Sequence, residues 1–224
     1  MDTKEITFYF DPVSPYAWLA STQLGRIADA TKRNLVARPI LFAGLLKAHG
    51  HQGPAEIPAK RNYIFRDVMR RANFYKLDIE GPPRHPFNPL LALRVCTAID
   101  SADQRLRFSK AIMQAAWGEG LDITDASVVT DVVKNCGLEG AWALESANNQ
   151  ETKAALVTAT DQAVQQGLFG VPSFVVDGQL FWGDDRIDDV IGFSNRHEMG
   201  DEQIDELKLQ KILAREAAHR SRNA

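Results

Sequence analysis

Residues 8–19, Phe8-Tyr9-Phe10-Asp11-Pro12-Val13-Ser14-Pro15-Tyr16-Ala17-Trp18-Leu19, run from an apolar segment through a Pro-punctuated loop into helical periodicity. Ile6 to Phe10 is β-rich, and from Pro15 to about Lys32 the apolar positions Trp18, Leu19, Leu24, Ile27 and Ala28 fall at helical spacing. Leu35 to Ile40 alternates as a second strand. A β-α-β unit of this length implies a parallel strand pair with a right-handed crossover.

Outward from that unit, strand signals stop between Ala43 and about Asn149. Expected helices there are Ala59–Tyr75, Pro89–Ser101, Asp103–Trp117, Asp125–Cys136 and Glu139–Ala147, with Ser101 and Thr124 as capping residues near their starts. The loop Glu80–Pro89 carries too many prolines to be helical. After a helix at Gln150–Gly167, Ser173–Val176 and Gln179–Trp182 read as short strands joined by Asp177-Gly178, a two-residue hairpin signal. Asp184–Ser194 is again helical, with Ile187, Val190 and Ile191 on one face.

The order β-α-β, helical block, α-β-β-α is that of an α/β thioredoxin-like fold interrupted by an all-helical insertion domain. The expected division is 1–42 and 150–200 for the two parts of the thioredoxin-like domain, 43–149 for the insertion, and 201–224 for a C-terminal amphipathic helix. In that helix Ile204, Leu207, Leu209, Ile212 and Leu213 form an apolar face expected to pack on the chain's own body or on a twin subunit.

Composition narrows the function classes. The 224 residues are 45% hydrophobic and 25% charged, with formal net charge −3 and no run of like charge, so nucleic acid and anionic membrane are poor partners. No apolar stretch approaches a membrane span, and the first ten residues lack a secretory pattern, so a cytoplasmic location is expected. Cys96 and Cys136, far apart and each in a helix-like stretch, read as reduced thiols rather than a disulfide or zinc site. His49 and His51 lack a third ligand, and no metal is expected.

The fold gives Ser14 its context, because the loop from the first strand to the first helix is where thioredoxin-like proteins carry Cys-x-x-Cys. The equivalent residues are Ser14-Pro15-Tyr16-Ala17, with no cysteine at either end, which excludes ordinary dithiol redox chemistry. Two readings of Ser14 stand together: a helix N-cap followed by proline, and a hydroxyl held where free N–H groups and the helix dipole favour an anion or a thiolate. Gly170-Val171-Pro172 before the third strand is either a turn device or a cis-proline that leaves the Val171 backbone free to pair with an extended ligand. Asp184-Asp185-Arg186 either caps a helix or binds an amino-acid head group. Together the three elements fit a small peptide thiol.

These segments, with Ala116-Trp117-Gly118-Glu119-Gly120 and Pro86-Phe87-Asn88-Pro89, resemble the 2-hydroxychromene-2-carboxylate isomerase family, which is related to kappa-class glutathione transferases and has a DsbA-like thioredoxin fold; the similarity runs in order over about residues 6–193. The resemblance implies that Ser14 activates a glutathione sulfur. It further implies that Lys60, Val171, Pro172, Asp185 and Arg186 contact that tripeptide, and that Asn88 and Trp117 meet a small aromatic substrate. A glutathione-dependent isomerase of aromatic catabolism, acting as a homodimer, is the implied protein. A glutathione transferase conjugating electrophiles and a non-catalytic binding module are the alternatives. Two departures stand out: His51 falls near a family asparagine, and Asp184 adds a negative charge where the family has a small or amide residue, which is expected to weaken the hold on a glutathione carboxylate.

Overall fold

The computed structural model describes residues 5–196, 200 and 204–222, with side chains through 216. Strands β1 (Glu5–Phe10), β2 (Asn34–Pro39), β3 (Ser173–Val176) and β4 (Gln179–Trp182) form one sheet in the order β2-β1-β3-β4. β1 pairs parallel with β2 (Phe8 opposite Ala37) and antiparallel with β3 (Phe8 opposite Phe174), and β3 pairs antiparallel with β4. This is the thioredoxin-like topology expected from the element order. The β3–β4 hairpin turns through Asp177 and Gly178 with φ of 48° and 86°. Positive φ at both positions is what a tight I′ hairpin requires.

The segment read as one helix from Pro15 is two, α1 (Pro15–Thr22) and α2 (Leu24–Thr31). Ser21 and Thr22 donate their hydroxyls to the carbonyls of Trp18 and Leu19, each at 2.7 Å, and the chain turns at Gln23. Such back-bonding competes with the helical ladder. A further helix, α3 (Phe42–Ala48), was not expected, because its N-terminus has no local capping side chain. Its first amides are satisfied from afar: Leu41 donates to Thr160 Oγ1 at 3.0 Å and Phe42 to Asp11 Oδ2 at 2.9 Å.

The helical block then runs through α4 (Pro58–Tyr75), α5 (Leu90–Ala98), α6 (Ala102–Trp117), α7 (Ala126–Asn135) and α8 (Gly140–Asn148). Ser101 caps α6 as expected, its Oγ accepting from Gln104 N. Asp125 rather than Thr124 caps α7; Thr124 instead donates to Asp122 at 2.6 Å. α9 (Gln150–Gln165) leads back to the sheet, and a 3₁₀ turn at Asp184–Arg186 precedes α10 (Ile187–Arg196).

The insertion has no core of its own apart from the sheet. Phe8, Phe10 and Phe174 belong to the same buried cluster as Phe108 and Ile112 of α6, Val129 of α7 and Ala143 of α8. Trp18 of α1 is fully buried there and donates its indole N–H to Gln114 of α6 at 3.0 Å. A smaller cluster on the opposite sheet face joins Tyr9, Ile40, Leu45, Ala163, Leu168 and Val171 under α3 and α9. Cys96 and Cys136 are buried free thiols.

The last helix, α11 (Glu206–Arg222), falls in the segment expected to be amphipathic; residues 201–203 of that expectation lie outside the described residues. Leu207 is 74% exposed, and Ile212 and Leu213 about half, so of the two expected arrangements these side chains do not adopt burial against the chain's own body. Among the described residues no helix is long and apolar enough to cross a membrane.

Candidate active site

Ser14 ends the loop after β1 in an extended conformation (φ −90°, ψ 118°) and caps α1, with Pro15 at the first helical position. Its Oγ accepts from Ala17 N at 3.3 Å and donates to Val171 O at the same distance, next to the cis Val171–Pro172 bond. Both bonds are long for a hydroxyl. The O–H is therefore easily redirected to a better acceptor at the helix N-terminus. Among the described residues nothing accepts from the Val171 N–H, so the edge beside Ser14 offers a backbone donor to an extended ligand.

The loop carrying Ser14 is held from several directions. Ser14 N donates to Asp11 O at 3.0 Å and Val13 N to Asp11 Oδ1 at 2.9 Å. From the insertion, Trp117 Nε1 donates to Pro12 O at 2.9 Å, and His85 Nε2 lies 2.8 Å from Val13 O. Because a carbonyl only accepts, that His85 nitrogen carries the proton. The His85 ring meets Phe65, Phe87 and Trp117 edge-on, and its buried Nδ1 has no hydrogen-bond partner. Burial pushes the His85 pKa down, so the imidazole is neutral at pH 7.

Asp11 is fully buried, and desolvation pushes its carboxyl up to about 7 although two amides oppose the shift. Sequence reading passed over it. Its signal was an acid closing an apolar strand directly before Pro12, but nothing local says that its second oxygen caps α3.

The other end of the site follows β4. Gly183 N donates to Pro172 O at 3.0 Å, which ties the Asp184 turn to the cis-proline. Gly183 adopts φ 114°, a backbone conformation that L side chains rarely take, so glycine suits the turn. Ser14, Val171, Pro172 and the Asp184–Arg186 turn are thus joined by consecutive hydrogen bonds, and the sequence-expected elements converge.

Asp184 departs from its expected role. It is 3% exposed and pairs with Arg71 of α4 at 2.6 Å, so its charge is compensated within the protein rather than added to the ligand face. Burial still pushes its carboxyl up to about 6 against the pull of Arg71. Beside it, Tyr16 donates to Asp67 Oδ2 at 3.0 Å, and burial with the neighbouring carboxylates pushes its phenol above the usual range. Arg71 was not expected, because a helix position 113 residues from its partner carries no local sign of the pairing.

The remaining expected residues are placed as follows. Asp185 and Arg186 pair with each other at 2.7 Å, and Arg186 also reaches Asp189 at 3.0 Å; both are half-exposed. Lys60 is exposed in the first turn of α4, next to Arg61, which donates to His85 O at 3.4 Å. Asn88 is exposed, and its Oδ1 accepts from Leu90 N at 3.1 Å in a turn. Trp117 is 1% exposed with its N–H committed to Pro12, which puts it behind the Ser14 loop rather than on a ligand surface. His51 is exposed, and His49 Nε2 lies 2.9 Å from Leu168 O. No group of His, Cys, Asp and Glu that could hold a metal occurs among the described residues.

Residues 5–192 match the DSBA-like thioredoxin domain family. The chain is 31% identical over 190 residues to the 2-hydroxychromene-2-carboxylate isomerase of Sphingobium xenophagum, covering 83% of this chain and 95% of that one. It is 27% identical over 199 residues to glutathione S-transferase kappa 1 of Rattus norvegicus, covering 83% and 88%. A solved structure of a 2-hydroxychromene-2-carboxylate isomerase superposes with a TM-score of 0.76 at 19% identity over 98% of this chain and 99% of that one. With the same fold and this identity over nearly the whole relative, the chain belongs to the 2-hydroxychromene-2-carboxylate isomerase family, related to kappa-class glutathione transferases within the DSBA-like thioredoxin proteins.

Proposed function

We propose that the chain is a glutathione-dependent cis–trans isomerase that interconverts 2-hydroxychromene-2-carboxylate and trans-o-hydroxybenzylidenepyruvate, or a related aromatic catabolite. The observation that carries this reading is Ser14 Oγ at the α1 N-terminus, 3.3 Å from Val171 O, in a loop with no cysteine. Glutathione, held at this site, would supply a thiolate for reversible addition to the substrate's conjugated double bond, the chemistry that would permit rotation.

The protein's part is ionisation and placement. A cysteinyl thiol has a reference pKa of roughly 8.5, so its thiolate needs stabilisation at neutral pH. The Ser14 O–H, the Tyr16 N–H and the dipole of α1 provide it, since Pro15 has no N–H and Ala17 N is held by Ser14. In this reading the free N–H of Val171 pairs with the cysteinyl backbone, Asp185 and Arg186 hold the charged γ-glutamyl end, and Lys60 serves the peptide or the substrate carboxylate. Asn88 faces the aromatic substrate, whereas Trp117 acts by fixing Pro12. The proposed units are residues 1–42, 43–149, 150–200 and 201–224, with a cytoplasmic homodimer as the working assembly.

Calorimetric titration with glutathione tests the reading, and absence of binding would leave only a thioredoxin-like binding module. A kappa-like transferase is the second reading, favoured by the 27% identity to the rat kappa enzyme. Product analysis separates the two: free glutathione recovered with rearranged substrate supports isomerisation, and a stable conjugate supports transfer.

A further inference from the structure

Among the described residues, Asp11 is the one fully buried carboxylate that the proposed chemistry leaves without a task. Its oxygens are divided between two segments: Oδ1 accepts from Val13 N in the Ser14 loop and Oδ2 from Phe42 N at the start of α3, both at 2.9 Å. Its own carbonyl accepts from Ser14 N at 3.0 Å. Each carboxylate oxygen therefore faces an N–H donor. A proton on either oxygen leaves a lone pair there for the amide but removes the negative charge, so both amide bonds lose their charge assistance and weaken together. Among the described residues no cation offsets the burial.

We propose that Asp11 is a proton-responsive positioning residue for Ser14: its charge holds the Ser14 loop and the α3 start through one amide each, so proton uptake weakens both bonds and shifts the two segments together. The ionised form matches the amides, the buried environment favours the neutral form, and the two demands balance near neutrality. Titratable groups on the adjoining elements are His85 on the Val13 carbonyl, Tyr9 of β1, Arg38 of β2 and His49 at the end of α3. None of them contributes to the Asp11 shift, which comes from burial and the two amides. His85, itself held neutral by burial, keeps its grip on Val13 O while Asp11 changes state. The loop is thus fastened on its carbonyl side by the insertion and released on its amide side by a proton. The consequence for thiol activation rests on the glutathione reading; the loop coupling does not.

The experiment is a pH series of amide NMR spectra of the ¹⁵N-labelled full chain, with glutathione calorimetry in the same buffers. The Val13 and Phe42 amides are expected to move in a single shared step at about pH 7, with the Ser14 amide following. Asp11→Asn removes the step, and His85→Gln leaves it in place. A wild-type chain without that step overturns the proposal, whether or not Asp11→Asn folds, and so does a step that survives in Asp11→Asn or vanishes in His85→Gln. With glutathione bound, affinity is expected to change through the same midpoint. Absence of any binding heat at every pH sinks the glutathione reading, while the amide titration continues to decide the loop coupling by itself.

Discussion

Asp11 and Asp184 are both buried carboxylates within one site, and they are held in opposite ways. Asp184 meets a guanidinium from α4 at 2.6 Å, whereas Asp11 meets only two backbone amides. Burial outweighs the compensation in both, leaving the carboxyls at about 6 and about 7. The difference is in what can be taken away: the partner of Asp184 is one side chain, but no single substitution elsewhere deletes the partners of Asp11.

The pH dependence of stability tests the Asp11 half most strongly. Both carboxyls lie above their unfolded values, so the folded chain holds these protons more tightly than the unfolded chain does. Above pH 7 both are ionised and the fold bears the full desolvation cost. As pH falls through about 7 for Asp11 and about 6 for Asp184, toward the unfolded values, that cost is relieved and stability from these groups rises. For Asp11 the full change is about 4 kcal/mol. Urea unfolding of wild type and Asp11→Asn at a series of pH values reads it as a gain in the stability of wild type relative to the variant on acidification. A gap that stays constant refutes the assignment.

Breaking the other half comes next in size. Arg71→Ala strands the Asp184 charge and is expected to cost about 3 kcal/mol, while adding Asp184→Asn restores more than half of the loss. If the double variant is no more stable than the single one, packing rather than charge holds that corner together.

Ser14→Ala loses a helix cap, about 1 kcal/mol in denaturant titration. It is also expected to raise the pKa of a bound glutathione thiol by about one unit, seen in the ultraviolet absorbance of the thiolate. An unchanged thiol pKa removes Ser14 from the chemistry and leaves it a cap. The smallest effect belongs to the half-exposed Arg186: its replacement by Ala is expected to alter stability by about 0.5 kcal/mol or less. Glutathione affinity is expected to fall about tenfold in the same variant. No loss of affinity places the γ-glutamyl end elsewhere.

The same contrast explains how much was legible in the sequence. Features written by neighbouring residues were readable: Ser14 before Pro15, the Asp177-Gly178 hairpin, Val171 before Pro172, and the order of strands and helices that defines the fold. Features written by distant residues were not. The α3 helix depends on caps supplied by Asp11 and Thr160. Asp184 looked like an added surface charge because its partner lies on α4, and Trp117 looked like a ligand contact because its burial depends on packing among separate elements. Near Ser14 the motif residues were legible and the residues that aim them were not.

The hydrogen bonds from His85 and Trp117 to the carbonyls of Val13 and Pro12 have an evolutionary corollary. The thioredoxin-like part supplies the loop, but its pose is written by the insertion. Drift in the helical block therefore shifts the pose of the Ser14 loop without touching Ser14, so the serine can stay in the sequence while the scaffold behind it changes.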